Sequence, residues 1–206
     1  MRLQRDDRTS RAKIRDAALL LFADHGADSV TVRQIAAAAR VSPALVMRHF
    51  GSKEGLREEI DAHVVHTIEA ILKVLAKRPS PDNLSSVVEA VILHLPSDSA
   101  IPAYVRRLLL EGGRAGRVLF RQLFEIGQET VSKLTKGGFA VPGADPMVRA
   151  AFLMTNDLAV LLLQDHLTET LGIDPLSAPG MKRWAGEVLA IYSSGLGGRR
   201  LRAEDR

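Results

Sequence analysis

The 206-residue chain contains no cysteine, which excludes disulfides, thiolate metal sites and cysteine nucleophiles. Phe, Trp and Tyr make up only 4% of it, so its core must be built from Leu, Val, Ile and Ala. Long apolar runs are missing too. Runs such as Leu158 to Leu163 fall far short of the roughly 20 residues that a membrane span requires. The opening MRLQRDDRTSR is polar and charged and lacks the apolar stretch of a secretory signal. These absences predict a cytoplasmic protein that makes no use of a membrane. No segment sustains period-two alternation, which argues against half-buried strands and predicts an all-α fold. No internal repeat is visible.

What is present is ordinary in amount and uneven in place. The chain is 46% hydrophobic and 25% charged, as a globular protein is. Its length suits one sizeable core, or a small domain joined to a larger one. The net charge is +4, and residues 1–55 hold ten Lys/Arg against six Asp/Glu. The rest of the chain holds eighteen of each. All of the excess therefore sits on the first quarter, the distribution expected of a phosphate-binding module on a neutral partner domain. An unevenly solvated surface has the same charge count.

That first quarter contains the stretch around which the chain is organised, TVRQIAAAARVSPALVMRHFGSKE, from Thr31 to Glu54. Thr31 with Gln34 three residues on has the spacing of a capping box. Ile35, Ala36 and Ala39 then share one helical face. Ser42-Pro43 announces a second helix, because serine caps exposed amides and proline at the first helical position loses no hydrogen bond. Leu45, Val46 and Phe50 form its buried side, Gly51 stops it, and Ser52 caps the next. Two short helices joined by this turn make a helix-turn-helix, whose second helix enters the DNA major groove.

Around this core, residues 1–9 carry Arg2, Arg5 and Arg8 without apolar periodicity and read as a flexible basic arm. A first helix is expected over 10–25, with Ile14, Ala17, Ala18, Leu21 and Phe22 inward and Gly26 as its stop. A fourth runs over 53–76, about 35 Å at 1.5 Å per residue, and is long enough to reach a separate body. Further helices are expected over 83–95, 101–111, 114–136, 146–171 and 180–194. The domain reading is a head over 10–55, a body over 56–195 and a disordered tail over 196–206.

Ile35-Ala36, then Val41-Ser42, then His49-Phe50-x-Ser52-Lys53-Glu54-x-Leu56 resemble the DNA-binding domain of the tetracycline-repressor (TetR) family, over about 14–56. The resemblance implies an all-α protein with a three-helix, helix-turn-helix N-terminal domain and a helical ligand-binding and dimerisation domain. Carried over residue by residue, it implies that Arg33, Ser42, Pro43, Ala44, Leu45, Met47, Arg48 and His49 face DNA. It places Thr31 and Lys53, at helix N-termini, on phosphates. The family often has tyrosine where Met47 stands, and small or polar residues where Pro43 and Leu45 stand. That departure leaves apolar contact with thymine methyls and one candidate for bidentate guanine recognition, Arg48. Leu45 and Met47 have a second reading as core residues.

The remaining helices suggest a body with two tasks. FLMTNDLAVLLLQDHL, from Phe152 to Leu167, is apolar on more than one face, and the last helix carries a stripe of Met181, Trp184, Val188 and Ile191. Two such helices per subunit form a four-helix bundle about a two-fold axis, the mode of dimerisation that the resemblance implies. Phe152 and Leu163 join that stripe as the expected interface of a homodimer. The dyad then sets two reading helices about 34 Å apart on a pseudo-palindromic operator of double-stranded DNA. Polar residues within apolar helices are the only hints of an effector pocket: His94, Glu111, Asn156 and Asp157, with Tyr104, Phe120 and Phe124 as apolar walls. A ligand, a neighbouring side chain or water can satisfy each of them. The aliphatic composition favours a largely apolar small molecule.

Enzyme and cofactor readings are weak. His63 and His66 are spaced to share a metal, yet no third ligand lies near them. Gly112 to Gly116 has the glycines of a phosphate loop but follows a helix and lacks the Lys-Ser/Thr ending. No nucleophile-base constellation stands out, and no cofactor or metal is expected. The expectation is a dimeric transcriptional repressor released from its operator by a ligand. The rival is a helical ligand-binding or architectural protein whose helix-turn-helix holds DNA without sequence preference.

Overall fold

The computed structural model of the chain describes residues 2–76, 94–96, 98–136 and 144–194. Among these there is no strand. The helices are α1 (Arg2–His25), α2 (Val32–Ala39), α3 (Pro43–Phe50), α4 (Lys53–Ala76), α5 (Ile101–Glu111), α6 (Arg114–Lys136), α7 (Pro146–Leu162), α8 (Gln164–Leu171) and α9 (Ala178–Ser194). The helix expected over 83–95 lies outside the described residues except for His94 and Leu95, which are not helical. The expected tail over 196–206 lies outside them too. None of the described helices is long and apolar enough to cross a membrane, although the bent pair α7–α8 has the composition for it.

The chain forms two compact units, residues 1–70 with 95–120, and residues 71–94 with 121–206. The first unit therefore holds more than residues 10–55, because α5 packs on α1 and joins the head. Its core is largely aliphatic, with Phe22 fully buried beside Ile14 and Ile35. α4 contributes Leu56, Ile60, Val64 and Ile68, all buried at a spacing of four that keeps them on one face. Each such side chain stabilises the fold by about 1.5–3 kcal/mol. Because α2, α3 and α5 all meet α1, its burial is wider than the expected stripe. Leu19 and Ala23 are buried, while Ala17 and Leu21 are only half-buried.

α1 also begins earlier than expected. It starts at Arg2, so the residues read as an arm continue the helix. No glycine or proline lies between Met1 and Gly26, and nothing in that stretch stops a helix.

Tyr104 of α5 is buried, and its hydroxyl donates to Asp61 Oδ1 of α4 at 2.6 Å. Burial raises the Asp61 carboxyl above its ordinary range, and the Tyr104 hydrogen bond and Arg57 offset this only in part. Burial, reinforced by Asp61, pushes the phenol upward, so Tyr104 remains the donor.

In the second unit, α7 buries Ala150, Met154, Leu158 and Leu161, at the four- and three-residue steps of one helical stripe. The single helix expected over 146–171 is two. It breaks at Leu163, with φ −107° and ψ 17°, and α8 leaves α7 at 75°. No glycine or proline marks the break. α8 is held instead from downstream: Gln164 Nε2 donates at 3.0 Å to Asp174 Oδ1, which also accepts from Leu176 N at 2.9 Å.

Candidate nucleic-acid interface

The helix-turn-helix is assembled by short-range hydrogen bonds. Thr31 Oγ1 accepts from Gln34 N at 3.3 Å, and Thr31 N donates to Gln34 Oε1 at 2.8 Å, closing the capping box. α2 ends at Arg40, whose φ of 56° is left-handed and whose N–H returns to the carbonyls of Ala36 and Ala37. Ser42 Oγ then accepts from Leu45 N at 3.2 Å and starts α3, with Pro43 in its first turn. Gly51 closes α3 at φ 74°, and Ser52 Oγ accepts from Gly55 N at 2.9 Å to begin α4. Each cap contributes about 1 kcal/mol, a large share for helices of eight residues.

This arrangement turns one face of α3 outward. Ser42, Pro43, Ala44, Met47 and Arg48 are exposed, and positions 44, 47 and 48 fall on one side by helical spacing. Val46 is buried beneath them. Leu45 is half-buried, between its two readings. Phe50, expected inside, is half-buried, and the guanidinium of Arg11 covers part of it, 4.9 Å from the ring centroid. On α2, Arg33 is exposed, and the guanidinium groups of Arg33 and Arg40 make no ion pair among the described residues, which leaves both charges available to phosphate. Thr31 is exposed beside them, with its hydroxyl committed to the capping box.

Two expected DNA-facing residues are placed differently. Lys53 Nζ donates to the carbonyls of Ala27, Asp28 and Val30 at 3.0, 3.4 and 3.2 Å. An ammonium has three donors, and three carbonyls of the α1–α2 connection receive them, so none remains for a phosphate. Lys53 thus ties the start of α4 to the end of α1. Replacing it with methionine keeps the stem and removes the donors. Stability is then expected to fall by about 1–2 kcal/mol, a drop in Tm of about 2–8 °C; an unchanged melting curve would refute the tie. The second is His49. It is half-buried, with its Nε2 buried and its ring edge-on to Phe50 at 6.1 Å.

Residues with no local signal turn out to hold the head together. Arg107 of α5 donates to the carbonyls of Ala23 and Asp24 at 2.8 and 2.9 Å, at the C-terminus of α1. Arg57 of α4 reaches Glu111 at 2.6 Å and Asp28 at 3.7 Å. Burial, together with the charge of Arg15, lowers the His63 imidazole below its ordinary value.

Residues 14–60 match the family of bacterial regulatory proteins of the tetR type, and residues 98–197 match the tetracyclin repressor-like C-terminal domain. The HTH-type transcriptional regulatory protein RaaS of Mycobacterium tuberculosis is 35% identical over 166 residues, 80% of this chain and 76% of its own. The chain belongs to the TetR family. As a TetR-family protein it is a DNA-binding transcriptional regulator, and its relatives are regulators rather than enzymes. The TetR fold extends over most of the chain. The fatty acid degradation regulator FadR from Bacillus halodurans superimposes with a TM-score of 0.70 at 16% identity, covering 92% of this chain and 97% of its own. FadR from Bacillus subtilis, solved with stearoyl-CoA, gives 0.67 at 16% identity, covering 90% and 98%.

The expected pocket residues of this TetR chain are divided between the units: Tyr104, Glu111 and Phe120 belong to the first, and His94, Phe124, Asn156 and Asp157 to the second. Glu111 is exposed and paired with Arg57, and His94 is exposed, so neither is a buried polar group in need of a ligand. Tyr104 is a buried side chain of the first unit whose hydroxyl already has Asp61. Phe120 is exposed, while Phe124, Asn156 and Asp157 are half-buried in the second unit. Of the expected interface, Phe152 and Leu163 are 65% and 49% exposed, and Ile191 is exposed as well. Trp184 and Val188 are half-buried. Met181 differs: it is buried within the chain itself, at the first turn of α9.

Proposed function

We propose that the protein is a homodimeric repressor that holds a pseudo-palindromic operator and leaves it when a small, largely apolar ligand binds. The exposed face of α3, with Ser42, Pro43, Ala44, Met47 and Arg48, on a first quarter (residues 1–55) that carries all of the chain's excess positive charge, carries this reading. Arg48 reads a guanine, Ala44 and Met47 touch thymine methyls, and Thr31, Arg33 and Arg40 lie against phosphates. Residues 10–55 bind DNA, and residues 56–195 bind the ligand and the second subunit.

Support for the dimer comes from α7. Met147, Val148 and Phe152 are 56%, 62% and 65% exposed, and large apolar side chains clustered on one helix mark a surface that another protein covers. Support for the ligand class comes from the aliphatic core of the second unit and from the stearoyl-CoA held by Bacillus subtilis FadR. Acyl-CoA thioesters are therefore the first effectors to try. Release requires that the ligand bind the DNA-free form more tightly than the DNA-bound one.

The test is a titration at about 150 mM salt against a randomised duplex pool, with sequencing of the bound fraction. A palindrome with half-sites one turn apart is the expected enrichment, lost when an acyl-CoA of fitting chain length is added. Salt-sensitive binding with nothing enriched would replace the reading with a non-specific architectural one.

A further inference from the structure

α3 is under-held by its own packing. It has two turns, and only Val46 is fully buried, so its rotation and tilt are fixed by few side-chain contacts. Its last carbonyls also need partners, as at any helix end. The N–H of Gly51 takes that of Met47 at 2.8 Å. The next support comes from another helix. Arg11 of α1 donates through Nη1 to the carbonyl of His49 at 3.0 Å, 38 residues away. The same guanidinium lies 4.9 Å from the Phe50 ring centroid. Its Nε donates to Glu59 Oε1 of α4 at 3.0 Å and its Nη2 to Glu59 Oε2.

One planar group thus touches α3 twice and is itself held in a two-pronged carboxylate grip by α4. We propose that Arg11 is a positioning residue for DNA recognition, a clamp that sets the angle at which α3 enters the major groove. The inference rests on the reading of α3 as the recognition helix. Three features carry it. The guanidinium fork presents donors in fixed directions, as a positional clamp must. A cation at the C-terminus of α3 is favoured by the helix dipole. Its charge is matched by Glu59, which leaves it little to offer a phosphate.

The rival role, direct phosphate contact, makes opposite predictions, and the full-length protein separates them. Binding is measured to the selected operator and to a scrambled duplex over a range of salt, for the wild type and for Arg11→Ala, Arg11→Lys and Glu59→Gln, with thermal unfolding alongside. The clamp predicts that Arg11→Ala lowers operator affinity about tenfold, the scale of one lost base contact. Scrambled-duplex affinity and the salt slope stay unchanged. Arg11→Lys does not rescue, because a point charge cannot serve the carbonyl, the ring and the carboxylate together.

A phosphate contact predicts that the slope falls by about 0.9 per subunit and that lysine rescues; either result overturns the clamp, as does unchanged operator affinity in Arg11→Ala. Should Arg11→Ala fail to fold, Glu59→Gln decides alone. The clamp predicts a smaller ratio of operator to scrambled affinity. A released phosphate-binding arginine predicts that both affinities rise together. A wild-type protein that enriches no sequence would fail at the first step, and would overturn the reading of α3 rather than the placement of Arg11.

Discussion

Alanine at position 48 is expected to weaken operator binding by about 1–3 kcal/mol per half-site, the cost of one bidentate guanine contact. Two half-sites double that cost, so a dimer loses roughly thirtyfold to ten-thousandfold in affinity. Arg48 is exposed on the same side of α3 as Ala44 and Met47, which carry no hydrogen-bond donor of their own. A head with one strong base reader depends on it more than a head with several. The loss has a form as well as a size. Reselection with the Arg48→Ala protein should return the same palindrome with one position in each half-site relaxed, and the salt slope should not change. A phosphate contact at Arg48 would instead weaken all sequences alike and reduce the slope by about one per subunit. The melting temperature is expected to stay put, since an exposed substitution away from caps and core usually changes stability by less than about 0.5 kcal/mol. A variant that melts early would mean that Arg48 holds the fold rather than the DNA.

The parts of the head that determine this geometry differ in how far the sequence discloses them. Thr31 with Gln34, Ser42 with Pro43, and Gly51 act on backbone groups within three or four residues, so their spacing alone announces the helix-turn-helix. Lys53, Arg107 and Arg11 act on backbone carbonyls far away in sequence, 26, 84 and 38 residues from their partners at Ala27, Ala23 and His49. A lysine at a helix start reads as a phosphate contact until the carbonyls opposite it are known. Periodicity has a similar limit on α9. It gives Met181 and Ile191 one stripe, yet Met181 is 6% exposed and Ile191 39%, because the stripe runs out of the chain's own core along its length. Period tells which face is apolar and not what covers it. The break at Leu163 has no local sign, since the downstream turn at Asp174 holds the short helix α8.

Gly116 makes the same point about contact across sequence, and its replacement carries a large expected stability effect. Three glycines near the α5–α6 corner look alike in sequence. Gly112 ends α5 at φ 66°, Gly113 has open space around the position of a Cβ, and Gly116 does not. A Cβ on Gly116 would lie 2.0 Å from the carbonyl oxygen of Leu108 and 2.9 Å from its carbon, both backbone atoms of α5. No rotamer change relieves such a clash, so α6 must move off α5. Leu108 and Leu119 are buried on either side of that approach, and both lose packing when it opens. Gly116→Ala should therefore cost about 3 kcal/mol, at the upper end for overpacking, a fall in Tm of about 6–12 °C. Gly113→Ala, three residues earlier, meets nothing and should stay within about 1 kcal/mol of the wild type, because the freedom lost by the unfolded chain offsets the poorer N-cap of α6. The pair separates a close approach from a general intolerance of the corner to side chains. The displacement should also reach DNA binding, because α5 carries Arg107 on the last carbonyls of α1 and Tyr104 on Asp61 of α4. A shift of α5 thus loosens α1, which packs against α3, and α4, which holds Arg11 through Glu59. Gly116→Ala is expected to lose operator affinity at temperatures where it is still folded, while Gly113→Ala keeps it. Equal melting temperatures for the two variants would rule out the close approach at Leu108.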